Sequence, residues 1–77
     1  MNMRETALVV LAKVSGKDSD MLTPEAELVA NLGLDSAKAL ELLVELEDRL
    51  EIEISDDDAA RLNTVGDILD FVDGLKV

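Results

Sequence analysis

Leu32-Gly33-Leu34-Asp35-Ser36, with the run 37–51 behind it, is the stretch that decides how this chain is read. Gly33 permits a tight turn. Asp and Ser are both strong N-cap residues, so either Asp35 or Ser36 is expected to cap a helix over 36–51. At about 1.5 Å per residue that helix is roughly 24 Å long. At about 100° per residue, Ala39, Leu42, Leu43, Leu46 and Leu50 fall on one arc, the expected core face. Ala37, Leu40 and Val44 fall on a second arc, flanked by Glu41, Glu45, Glu47, Asp48 and Glu51. The second stripe is either covered by another helix or exposed as a docking strip ringed by carboxylates. Periodicity alone leaves both readings open.

Upstream, residues 2–15 read as a first helix. Met3, Ala7, Val10, Leu11 and Val14 share a face that Leu8 widens, and Gly16 is the stop. Residues 16–35 form a long connection. Thr23-Pro24-Glu25 is a helix-start signal, so a short helical turn is expected over 24–30. Leu22, Leu28 and Leu32 should pin this connection to the core. Downstream, Ile54 is expected to be buried, and Ser55-Asp56-Asp57-Asp58 has a capping pattern before a short helix over 56–62. Thr64-Val65-Gly66-Asp67 repeats that pattern before a final helix on which Val65, Ile68, Leu69 and Val72 align. Phe71 and Leu75 widen its face and Gly74 closes it. The expectation is one all-α domain over residues 1–77: a four-helix bundle with a long first loop and a short third helix.

Composition narrows the chemistry. In 77 residues there is no Cys and no His, and formal net charge is −11. No thiolate or imidazole is available as nucleophile, base or metal ligand. An enzyme is therefore not expected. Nucleic acid is a poor partner for so acidic a chain, whereas basic protein surfaces are good ones. No apolar run approaches the ~20 residues needed to cross a bilayer, and the first residues do not resemble a signal peptide, so a cytoplasmic, non-inserted protein is expected; it is read as a monomer. Asp18 and Asp20 do not continue a calcium loop: its glycine position is Thr23 and its last ligand position is Val29. No metal site is expected. Ser36 can be a cap. It can also be a hydroxyl modified by another enzyme, since a phosphate ester at a helix N-terminus is favoured by backbone N–H groups and the dipole.

The motif Leu32-Gly33-Leu34-Asp35-Ser36 resembles the attachment motif of acyl carrier proteins. Residues 26–36, the run Glu41-Leu42-Leu43-Val44-Glu45-Leu46-Glu47, the segment Ile52-Glu53-Ile54-Ser55-Asp56 and Thr64-Val65-Gly66-Asp67 are similar to that family in order and spacing. The resemblance implies a 4′-phosphopantetheine arm on Ser36, with Asp35 and Gly33 beside it, installed from coenzyme A by a phosphopantetheinyl transferase. Acyl groups would ride on that arm as thioesters, for fatty-acid, polyketide or related synthesis. It also implies that partner enzymes, acyl-transferring and condensing, use basic surfaces to dock on the helix after the serine. Ala37, Leu40 and Val44 would be apolar contacts, and Asp35, Glu41, Glu47 and Asp48 charged ones. The space between the helices would shelter a bound acyl chain. Two residues depart from the family pattern: Ala37 stands where a larger aliphatic is usual, and Lys38 where an acid is frequent. They point to a specialised member, and the chain is read as a freestanding carrier. The alternatives are an aminoacyl or peptidyl carrier, and an unmodified carrier-like adaptor.

Overall fold

The computed structural model describes residues 2–75. Four α-helices follow in order among them: α1 (Met3–Ser15), α2 (Ser36–Leu50), α3 (Asp56–Ala60) and α4 (Val65–Asp73). A 3-10 turn at Ser19–Met21 interrupts the long connection from α1 to α2.

Local chemistry sets the helix ends. The Asn2 side chain accepts from the Glu5 N–H at 2.8 Å, and Gly16 closes α1 in the left-handed region at φ 71°. The Ser55 hydroxyl accepts from Asp58 N–H and starts α3. That helix stops at Ala60, two residues before the expected end, because Arg61 and Leu62 tighten onto the carbonyls of Asp58 and Ala59. Thr64 and Asp67 form a complete capping box at the start of α4. Gly74 closes α4 in right-handed geometry. At the end of α2, Glu51 takes the left-handed conformation at φ 55°, where a glycine is the usual occupant.

The core is one cluster. Ala7, Val10, Leu11 and Val14 of α1 meet Leu42 and Leu46 of α2 and Val65, Ile68, Leu69 and Val72 of α4. The substantial helix–helix contacts are α1 with α2 and α1 with α4; α3 has none of comparable extent. Ile54, expected inside, is half-buried at the core margin with Leu50, Leu62 and Phe71. An ion pair crosses from α1 to α2: Glu45 lies 3.6 Å from Lys13 of α1 and 3.6 Å from Arg49 on its own helix. Glu45 therefore turns toward α1 and does not border the second stripe in the way its helical position suggested.

The long connection is ordered by pairing. Leu22, Leu28 and Leu32 are buried as expected, and Ala26 and Leu34 join them. The helical turn expected over 24–30 does not form. A helix there would need carbonyls that are already taken: Val65 N–H donates to Ala26 O, and Gly66 N–H to Pro24 O, each at 3.0 Å. Leu28 N–H donates outward as well, to Asn63 O. These bonds form a single antiparallel bridge, Glu27 with Thr64, that clips the loop to the head of α4. Tertiary hydrogen bonds have overridden a local helix signal.

Gly66 is the tight point of that clip. A Cβ there would lie 2.9 Å from the Pro24 carbonyl oxygen. Gly66→Ala should therefore push the loop away from α4 and cost about 1–3 kcal/mol, as overpacking does. Urea unfolding would show it as a lower midpoint.

Candidate functional site

The loop ends in a compact arrangement that delivers Ser36. Leu32 and Leu34 are both buried, 2% and 1% exposed, and Gly33 between them turns the backbone at φ 68°. Gly33 N–H donates to Val29 O and Leu34 N–H to Leu28 O. Two anchored leucines flanking a left-handed glycine thus fix where the chain enters α2.

Asp35 is the N-cap. Its carboxylate accepts from Lys38 N–H at 2.9 Å. This settles which of the two candidates caps α2, and it leaves the Ser36 hydroxyl out of the capping. Ser36 is exposed at the first helical position. The other serines differ. The hydroxyls of Ser15 and Ser55 accept backbone N–H groups, of Lys17 and Asp58 respectively. Ser55 also precedes three consecutive aspartates, which would repel a phosphate ester. Ser19 lies between Asp18 and Asp20 on a three-residue turn.

Behind Ser36, α2 carries two surfaces. Leu42 and Leu46 are buried and Ala39, Leu43 and Leu50 half-buried, so the expected core arc is in the core. The second stripe is bare. Ala37 is exposed, Leu40 is 62% exposed and Val44 50%. Glu41 and Asp48 are exposed beside them, and Lys38 is exposed on another flank. Glu47 is half-buried, and its carboxylate accepts Ile54 N–H at 2.9 Å. Of the acids expected to dock partners, Glu47 and the cap Asp35 are engaged within the fold, whereas Glu41 and Asp48 are exposed.

On the other side of Ser36 lies an apolar cleft. Its outer part, about 250 Å³, is bounded by Leu28, Val29, Ala30, Ala39 and Leu62 with Glu27 and Asn63 at the rim. Its inner part, about 60 Å³, reaches Leu42, Leu43, Ala59 and Ile68. On α2, Ser36, Ala39 and Leu43 succeed one another at helical spacing, so the serine stands above the wall of this cleft. Among the described residues no helix is long and apolar enough to cross a membrane.

A family profile described as "Phosphopantetheine attachment site" matches residues 5–72. The chain belongs to the acyl carrier protein family. An acyl carrier protein of Syntrophobacter fumaroxidans is 41% identical over 63 residues, covering 82% of this chain and 78% of that one. One of Helicobacter pylori is 36% identical over 77 residues, covering 100% and 99%. Among solved structures, a Mycobacterium tuberculosis protein provisionally assigned as an acyl carrier superposes with a TM-score of 0.86 at 35% identity, covering 96% of this chain and 99% of that chain. The Enterococcus faecalis acyl carrier protein superposes with 0.79 at 30% identity, covering 99% and 100%.

The all-α four-helix expectation agrees with these relatives, and so does the carrier function. The family's cofactor is covalently attached 4′-phosphopantetheine. The arm supplies a thiol, and with it thioester chemistry, to a chain that has no cysteine. The residues present fit it: an exposed hydroxyl on the first turn of α2, capped by its neighbour and held by a fixed turn.

Proposed function

We propose that this carrier, one domain over residues 1–77, bears its arm on Ser36 and presents acyl thioesters to enzymes that dock on α2. The observation supporting this reading is the position of Ser36 on the ridge between the exposed strip and the apolar cleft. The hydroxyl takes the phosphodiester; the first free N–H groups of α2 and its dipole favour the negative charge. Ala37, Leu40 and Val44 supply the apolar contact. Asp35, Glu41, Glu47 and Asp48 supply charge for basic surfaces on a phosphopantetheinyl transferase and on acyl-transferring and condensing enzymes. The cleft between α2, α3 and the loop shelters the acyl chain. No catalytic step is assigned to the carrier's own residues. It acts in the cytoplasm as a monomer, in fatty-acid or related synthesis. Lys38 and Ala37 tailor the strip to a restricted set of enzymes, and fatty-acid synthase enzymes should dock better after Ala37→Leu with Lys38→Asp.

Asp35 separates two roles cleanly. Asn caps a helix about as well as Asp, whereas Ala does not. Asp35→Asn should keep stability and slow arm attachment through the lost charge. Asp35→Ala should lose about 1 kcal/mol of stability as well. Transferase kinetics beside urea unfolding tests this; equal attachment rates for wild type and Asp35→Asn would remove Asp35 from the docking surface. Attachment rates should also fall as salt rises, because at 0.1 M the screening length is only about 10 Å.

A further inference from the structure

The acids of α2 are not equivalent. Glu47 alone holds three amides of the α2–α3 connection: its carbonyl accepts from Glu51 N–H and Ile52 N–H, and its carboxylate from Ile54 N–H. The connection it ties down leads directly to Ser55, the cap of α3. That helix is five residues long and has no extensive contact with another helix. Ala59, within α3, and Leu62, just after it, nevertheless line the inner cleft with Leu42, Leu43 and Ile68. One wall of the cleft is therefore placed mainly by its attachments, and the Glu47 carboxylate is a half-buried, charge-assisted one. Helical geometry adds a second relation. Ser36, Leu40, Leu43 and Glu47 are spaced i, i+4, i+7 and i+11, so Glu47 lies on the same ridge as Ser36, roughly 16 Å along the axis.

We propose that Glu47 is the positioning residue for cargo retention: through Ile54 N–H its carboxylate holds α3 as the wall of the acyl cleft. This rests on the carrier reading above and assigns Glu47 a role inside that site beyond docking. Removing the carboxylate frees Ile54 N–H, loosens the 51–55 connection and lets the Ala59–Leu62 wall open.

The test compares Glu47→Ala, Glu47→Gln and Asp48→Asn. Gln loses the charge but keeps an acceptor oxygen for Ile54 N–H, and Asp48 is a neighbouring exposed acid. Amide hydrogen exchange is measured first on the unmodified protein. Glu47→Ala should speed exchange at Ile54 and Ala59 by about tenfold, the loss expected for a charge-assisted hydrogen bond. Ile68 should stay as in wild type. Glu47→Gln should retain most of the protection, and Asp48→Asn all of it. The octanoyl thioester is then installed from octanoyl-coenzyme A by a broad-specificity transferase, and its cleavage by hydroxylamine is timed. Cleavage should be severalfold faster in Glu47→Ala than in wild type, with Glu47→Gln close to wild type. Unchanged exchange at Ile54 in Glu47→Ala would overturn the tether. Faster exchange with unchanged cleavage would overturn the retention role. A chain that takes no arm would instead refute the carrier reading and the cargo role together, while the exchange result still decides the tether.

Discussion

Ser36→Ala is expected to yield a folded protein that gains no arm. The fold should survive because Ser36 does not cap α2: Asp35 does, through its bond to Lys38 N–H. Ala is also the best helix former, and the first helical position is exposed. Stability should therefore stay within about 0.5 kcal/mol of wild type. Loading should be lost completely, because no other serine offers the same setting. Ser15 and Ser55 have engaged hydroxyls, and Ser19 has no α-helix behind it. Thermal unfolding and intact mass, read on the same sample, test both halves. A variant that melts far below wild type would mean that Ser36 has a structural role the geometry does not show.

Leu46→Ala is expected to have the opposite signature. Leu46 is 1% exposed on the core face of α2, where it joins the cluster shared with α1 and α4. Truncating such a leucine costs about 2–5 kcal/mol from lost burial and the cavity left behind. A domain of this length has only about 4–12 kcal/mol in total. The variant should therefore be partly unfolded at moderate temperature, with loading reduced in step with the folded fraction. Leu40→Ala, on the same helix, is the control. Leu40 is 62% exposed, so stability should move by less than about 0.5 kcal/mol. Transferase docking should nevertheless weaken. Far-UV circular dichroism through a urea titration separates the two. If Leu40→Ala destabilised the fold as much as Leu46→Ala, the two-surface description of α2 would be wrong.

The helices were legible because each carries its own local signal. Ala7, Val10, Leu11 and Val14 repeat at helical spacing, Gly16 stops the run, and Thr64 with Asp67 forms the box its spacing announces. The loop was less legible because its hydrogen bonds are not local. Nothing near Pro24 in the sequence indicates that its carbonyl accepts from Gly66 N–H, and the helix signal of Thr23-Pro24-Glu25 points the other way. The same holds for Glu47. Its position on α2 marks it as a surface acid, and only the return of the chain at Ile54 gives its carboxylate an internal partner. At the site, the motif pointed to Ser36 but could not say whether Asp35 or Ser36 caps the helix. Periodicity left the second stripe undecided between burial and exposure, and the family resemblance pointed to exposure. The fold leaves it bare: α3 borders the Ala39–Leu43 side of α2, and Leu40 and Val44 remain exposed.

The central claim is that one phosphopantetheine is carried on Ser36. The most direct measurement is the intact mass of the wild-type chain after incubation with coenzyme A and a broad-specificity phosphopantetheinyl transferase, followed by fragmentation of the peptide containing residues 32–38. The account predicts a mass gain of a single arm, located on Ser36. No gain, or an arm located on Ser15, Ser19 or Ser55, would contradict it.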